Sequence, residues 1–535
     1  MQGKQLFFIK FLTALCISTL LILYAQNTQY NYINLFRKYL NNKNIEITSK
    51  RHAHKCIHSK VLVEEEKIRK IQEASSHEDD INYKYTEQSS FQNIRIKFDY
   101  SNLEKHHFSI QRYIELNLIP AAGNYFEELL RVRRLNEPIR LSSRYNNYPC
   151  GYAKVNIPKD HINNGVQNAD FVFYITASDD ESNTLAYAST CDVQGTASTK
   201  RPLAGYFNMN LKYFKQAINS GDKMAVANWI YTTLHEMTHS LIFSDYHFSN
   251  FPNNIKKRDR YGRVVLADPQ LLEYARKYFN CPTLEGVPLE DEGGNGTAGG
   301  HWERRLLGNE MMTGSDMYDS VFSNFTLLVF QASTWYQINW NKAQPLIWGY
   351  GEGCNFLGTN CDIQSQEFCN SVNKNCSYDY AGLASCAQDS LSNNCKYWKS
   401  YSNTHCNYPD QGQAKQWQSV GGKSGSNTRC FKTDLYNQWK WNGTPPAQAC
   451  YESKCIFNGN QAIIKFIVYG NEYQCNQNNQ VVRIGNKGSV TCPDITRFCL
   501  HMSACPDSCL GRGTCFNGKC VCHKGFSGPT CETRE

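Results

Sequence analysis

"YTTLHEMTHSLIF" fills residues 231–243. Two histidines, His235 and His239, stand four apart, with Glu236 beside the first. Around them Val226, Ile230, Leu234, Met237 and Leu241 recur at spacings of four, four, three and four. That period predicts a helix over 222–243 with one apolar face. Ser220 offers an N-cap oxygen, and Lys223 at the third helical position leaves no capping box. Residues four apart on a helix are neighbours, so both imidazoles project from one flank. Two neutral imidazoles so placed can share one Zn2+ without distorting the backbone. Glu236 sits too far round to ligate easily, but it can reach a water beside the metal. The bland reading of the same residues is a pair of satisfied histidines on an amphipathic helix.

A third ligand has to come from elsewhere. His247 lies twelve residues after His235. The short zinc-peptidase pattern places Gly seven residues after the first His and His ten after it. Here those positions hold Ile242 and Asp245, so that pattern fails. The other candidate lies in "GTAGGHWERRLLGNEMMTG" (296–314), where a Gly-rich approach presents His301 and a Met-containing turn follows. Asp245 or Glu303 as a stand-in carboxylate ligand is the weaker alternative.

The chain has 535 residues, 41% hydrophobic and 19% charged, which suits two to four domains with sizeable cores. A net charge of +8 is modest for this length. Lys and Arg are scattered rather than striped, so a nucleic-acid partner is not expected. After Lys4 comes "LFFIKFLTALCISTLLILYA", read as a secretory signal over 1–25 with cleavage near Ala25. An uncleaved anchor is the alternative, although the apolar run is marginal for a span. No other stretch approaches that length, so no membrane span is expected in the mature chain. The final "CETRE" has no hydrophobic tail, so no lipid-anchor signal is expected there. Of 24 cysteines, Cys16 falls in the signal, Cys56 stands alone, and 22 run from Cys150 to Cys531. That even, dense set predicts disulfides and an oxidising compartment. Sequons at Asn295, Asn324, Asn375 and Asn442 fit a glycosylated, secreted or extracellular chain, with cell-surface association left open.

Residues 26–90 read as a prosegment with little core, cut somewhere in 75–92. "NIRIKFDY" (93–100) alternates like a half-buried strand, and "ADFVFYITAS" (169–178) like a buried one. Residues 110–135 look helical. The stretch 346–500 is rich in Cys, Asn and Tyr and predicts disulfide-held loops and small sheets. The mixture is an α+β chain.

Four stretches carry a family likeness: "LHEMTHSLIFS", "RPLAGYFNMN" (201–210), "GTAGGHWERR" and "NEMMTG". Over roughly residues 92–500 the chain resembles the leishmanolysin family, zinc peptidases of the metzincin group. The resemblance implies a metzincin-type catalytic domain over 91–345, built on a long active-site helix, and a mixed disulfide-rich domain over 346–500. It implies one Zn2+ per chain held by His235, His239 and His301. Glu236 would be the general base, and Met312 the apolar floor of a Met-turn. "HKCIH" (54–58) is similar to the family's His-Arg-Cys-Ile-His prosegment motif, with Lys55 keeping the positive charge. That likeness makes Cys56 a cysteine switch whose thiolate would fill the fourth metal position and silence a zymogen. One residue departs from the family: Ile242 stands where Gly is usual. Ile tolerates a left-handed turn poorly, so the helix is expected to run longer or to end by another turn.

"CPDSCLGRGTCFNGKCVCHKGFSGPTC" (505–531) spaces its cysteines C-x3-C-x5-C-x4-C-x-C-x8-C and resembles an EGF-like module, here placed at 501–535. The resemblance implies pairs Cys505–Cys515, Cys509–Cys520 and Cys522–Cys531. The preceding "LHMSA" lacks the acidic cluster of calcium-binding members. The expected function is a secreted or cell-surface zinc-dependent endopeptidase acting on protein or peptide substrates and made as a zymogen. Its EGF-like module would serve extracellular protein contacts. The rival, from another class, is a catalytically silent adhesion or binding protein retaining the peptidase fold.

Overall fold

A computed structural model describes residues 56–73, 90–103, 108–179, 181–193, 200–219, 223–315, 320–359, 361, 365–370, 375–407, 411–425, 427–435, 447–458, 461–503, 513–516, 519–522, 526–528, 531 and 533–534. The signal over 1–25, the prosegment before Cys56, the stretch 75–89, the Ser220 cap, Asn442, Cys505 and Cys509 lie outside the described residues. So do the side chains of Cys515 and Cys520.

The chain is α+β, and four strands frame the region that matters. Helix α1 (His58–Glu73) comes first, followed by β1 (Ile96–Asp99), β2 (Phe171–Ser178), β3 (Ala186–Val193) and β4 (Pro202–Asn210). The sheet order is β1-β2-β4-β3. β1, β2 and β4 run parallel, and β3 pairs antiparallel to β4 at the edge. β2 reads as a continuous apolar run because both faces of the sheet are covered. Phe171, Phe173 and Ile175 join Phe207 and Met209 in one core. Val172 and Tyr174 join Leu203 and Tyr206 in another on the opposite face.

Helix α2 (Lys223–Leu241) packs on β3 and β4. Its Ile230, Leu234, Met237 and Leu241 are buried in the same core as Phe171 and Phe207, as the period predicted. Gly205 lets helix and sheet close. A Cβ there would lie 2.8 Å from Ser189 O and 2.9 Å from Ser240 Cβ. Ser240 Oγ also donates to Ser189 O at 2.9 Å, tying α2 to the edge strand.

Three expectations needed correction. Residues 93–100 are not one strand. Phe91–Asn93 pairs with Leu130–Arg133 in another sheet, and β1 begins only at Ile96. Between them Arg95 places its guanidinium on the buried Asp170 carboxylate at 2.9 Å; Ile94 and Ile96 stay buried on either side, so the alternation holds although the strand does not run through. The helical stretch ends at Leu129, after a π-helical turn at Ile114–Leu118. Leu130–Arg133 is a strand with alternate residues buried, the period-2 signal that a helical reading overran.

The third concerns 346–500: a small three-stranded sheet of the expected kind lies at Asn375–Cys376, Gly382–Gln388 and Lys396–His405, but a larger sheet follows it. Six strands form one antiparallel sheet: β5 (Thr428–Thr433), β6 (Gln448–Asn458), β7 (Gln461–Val468), β8 (Asn471–Cys475), β9 (Val481–Arg483) and β10 (Ser489–Thr491). Their order is β8-β7-β6-β5-β10-β9. Cysteines occupy inward positions, with Cys430, Cys450 and Cys475 fully buried beside Trp417, Phe431, Tyr451 and Phe466. In the sequence such cysteines read as loop staples rather than as core. All sixteen cysteines from Cys150 to Cys499 pair, as 150–191, 281–354, 361–395, 369–386, 376–430, 406–450, 455–499 and 475–492. At the C-terminus Cys522 bonds Cys531, as expected of the EGF-like pairing. Among the described residues no helix is long and apolar enough to cross a membrane.

Gly205→Ala forces a methyl into the helix–sheet contact. Overpacking of this kind costs about 1–3 kcal/mol. The expected result is a thermal midpoint lowered by several degrees, read by scanning calorimetry; an unchanged midpoint would contradict the close approach.

Candidate active site

α2 carries His235 and His239 on its last two turns, and the Gly-rich loop before Trp302 delivers His301. All three imidazoles are buried. The Nε2 atoms converge, with His239 at 3.1 Å from His235 and 3.1 Å from His301, and His235 at 3.3 Å from His301. Each Nδ1 is held by a backbone carbonyl. His235 donates to Met311 O at 2.6 Å, His239 to Phe243 O at 2.6 Å, and His301 to Thr297 O at 2.9 Å.

A carbonyl only accepts, so each Nδ1 carries the proton and each Nε2 presents a lone pair. Three lone pairs facing one another this closely repel unless a cation lies between them. A tetrahedral zinc with Zn–N of about 2.0–2.1 Å has N···N edges of about 3.3–3.4 Å, close to those of this triangle.

A fourth donor completes the group. Cys56 Sγ lies 3.4 Å from His239 Nε2 and 3.5 Å from Glu236 Oε1. The donor atoms of Cys56, His235, His239 and His301 all fall within 4.8 Å of one another. Three imidazoles and a sulfur form a donor set that suits a borderline-soft divalent ion. His58 covers the outside, its ring stacked on that of His239 at 3.8 Å and its Nδ1 bonded to Ala188 O at 3.1 Å.

Burial governs the titration of these groups. It pushes the Glu236 carboxyl up to about 7, against the lowering effect of His235 and the Cys56 contact. Burial and then the Glu236 charge push the Cys56 thiol up. Burial lowers His58 to about 3 and His239 well below the usual imidazole range, so both rings are neutral. A divalent cation at the point of convergence reverses the sign for the thiol and favours the thiolate.

The loop after His301 is braced from behind. Glu310 accepts from Met312 N at 2.6 Å, Ser323 Oγ at 2.9 Å and Thr326 Oγ1 at 2.6 Å. Trp302 N donates to Met312 O at 2.9 Å. This turn aims Met311 O at His235 and leaves Met312 fully buried in the core. Sequence reasoning missed Glu310 and His58. A lone Glu in "GNEMMTG" gives no sign of burial, whereas His58 stood inside the quoted "HKCIH".

The other candidates go elsewhere. His247 is buried but bonds through Nε2 to Thr190 Oγ1 at 2.8 Å. Asp245 pairs with Lys256. Glu303 accepts from Arg305 N at the start of a short helix. Ile242 is fully buried, and its φ is not positive. The chain leaves α2 by a wider turn instead, with Phe243 N donating to Thr238 O at 2.9 Å. That turn swings Phe243 O back onto His239.

Comparison with known proteins bears on the same residues. The leishmanolysin family model matches residues 108–390, and a Teneurin-like EGF domain model matches 505–534. A leishmanolysin-like peptidase of Caenorhabditis elegans is 30% identical, over 51% of this chain and 52% of its own length. Leishmanolysin of Leishmania donovani is 32% identical over 46% of this chain and 40% of its own. The ciliated left-right organizer metallopeptidase of Mus musculus is 29% identical over 63% of this chain and 52% of its own. The chain spans about half the length of the Caenorhabditis relatives it matches. A family match covering more than half the chain, and containing both the helix and the loop that bring three histidines together, makes this protein a member of the leishmanolysin family.

Proposed function

We propose that this chain is a zinc-dependent endopeptidase, made as a zymogen and acting outside the cell on protein or peptide substrates. One observation carries the reading: three Nε2 lone pairs, each fixed by an Nδ1–H to a carbonyl, point at one another across 3.1–3.3 Å. His235, His239 and His301 would hold the ion, Met312 would underlie it, and Cys56 would fill the remaining position until processing. Zinc bound there supplies Lewis-acid polarisation of a carbonyl and a lowered water pKa. Nine disulfide bonds among the described residues support an oxidising compartment. The proposed division is signal 1–25, prosegment 26–90, catalytic domain 91–345, cysteine-rich domain 346–500 and EGF-like module 501–535.

The side chains divide the proton work. Glu236 Oε1 faces the position that Cys56 Sγ occupies, so it faces the attacking water once Cys56 has left. Its carboxylate takes the proton from that water and gives it to the leaving amine nitrogen. The three Nδ1–H bonds keep the Nε2 atoms unprotonated and the rings aligned throughout.

Three measurements test this. A processed chain should cleave casein, lose activity to a chelator, and regain it with zinc. No turnover by a fully reloaded protein would leave the silent binding protein instead. Glu236→Ala should lower casein cleavage by about 10²–10⁴-fold, with one zinc per chain retained by elemental analysis. Cys56→Ser in the full chain should weaken the block and give activity before any processing; a fully silent variant would remove the cysteine from the switch.

A further inference from the structure

Helix α1 makes a second polar contact with the body of the protein, away from the histidine cluster. Glu65 is buried at 5% exposure, although it lies among charged neighbours in "VEEEK". Its carboxylate accepts from Tyr206 Oη at 2.6 Å, Ser189 Oγ at 2.5 Å and Tyr152 N at 3.3 Å. Two hydroxyls and a backbone amide, all from the body of the chain, supply these three bonds.

Those donors all belong to the body and are held independently of α1. Tyr206 is fully buried on β4, and Ser189 is buried on β3. The Tyr206 hydroxyl donates its proton to Glu65 Oε1. Cys150–Cys191 ties the loop carrying Gly151 and Tyr152 to β3. Gly151 has a φ of +63°, and a Cβ there would lie 2.4 Å from the Tyr206 ring and 2.6 Å from Glu65 Oε1. A larger residue would therefore fill the pocket. The donors come from the body of the chain, so removing the segment before Phe91 takes none of them away.

Its place relative to the site is also fixed. His58, seven residues before Glu65, stacks on His239 and bonds Ala188 O, next to Ser189. Seven residues of helix rise about 10 Å. An extended peptide covers that distance in about three residues.

We infer that the pocket of Tyr206, Ser189 and Tyr152 N is a specificity subsite for an acidic side chain, which the prosegment fills with Glu65 and a substrate fills with Glu or Asp about three residues from the scissile bond. This rests on the peptidase reading above. Buried hydrogen bonds to a charged group discriminate strongly, because an uncharged or cationic side chain leaves the donors unpaired.

The test uses the full chain after removal of the segment before Phe91, loaded with zinc. Its substrates are peptides that differ only at the third residue on either side of the cleaved bond, bearing Glu, Gln, Ala or Lys. On one side, kcat/KM for the Glu peptide should exceed that for the Ala and Lys peptides by about tenfold or more. Tyr206→Phe should collapse that ratio towards one, and Ser189→Ala, a smaller change, should lower it if the first variant folds poorly. Turnover without any preference for Glu at either position overturns the subsite and leaves the peptidase reading intact. No turnover of any peptide removes the peptidase reading and the subsite with it.

Discussion

Three hydrogen bonds from imidazole Nδ1 to backbone carbonyls are what the site depends on. Each fixes a tautomer, and so decides that a lone pair rather than a proton points inward. The carbonyls come from three different places. Phe243 O lies just past the end of α2, Met311 O in the turn braced by Glu310, and Thr297 O in the loop that carries His301 itself. Much of the surrounding architecture serves to put those oxygens where they are. The wide turn at Ile242 returns the chain over His239, and the buried Glu310 gathers the Met-containing turn against the helix Asn324–Ala332.

How far the sequence revealed this follows from what kind of atom does each job. His235 and His239 were legible because side chains four apart on a helix must face one way, and that rule needs no tertiary knowledge. His301 rested on a resemblance, since nothing local says where a loop 62 residues on will land. The carbonyl acceptors left no trace at all, because any residue type supplies a carbonyl. Glu310 and Glu65 looked like ordinary surface carboxylates; their burial depends on partners as distant as Thr326 and Tyr206. The same limit explains the fold corrections. At the break before β1, Arg95 meets Asp170, 75 residues away. The large C-terminal sheet was hidden in part because buried cysteines stand among its apolar positions.

Disulfides and the lone thiol divide the cysteines into two chemistries. Every cysteine from Cys150 to Cys499 is paired, whereas Cys56 is buried and reduced against three imidazoles. A sulfur in that position is worth more as a ligand than as half of a bridge. Bridging it to a partner would demand a second thiol in a fully enclosed space. The bonds also stiffen what the thiol docks against. Cys150–Cys191 anchors the wall on which α1 rests, and Cys281–Cys354 fastens the end of the helix Pro269–Phe279 to the segment after Trp348.

The docking of α1 through both Cys56 and Glu65 has a kinetic meaning on this reading. Severing the polypeptide after Glu73 would not by itself clear the cleft, since the thiol, the stacked His58 and the carboxylate would still be seated. What the cut removes is the covalent tether, which holds the segment at an effective concentration in the millimolar range. If the chain is the zymogen proposed, its awakening would be set by escape of a bound fragment, and dilution or digestion of that fragment would govern how fast a freshly nicked population comes to life.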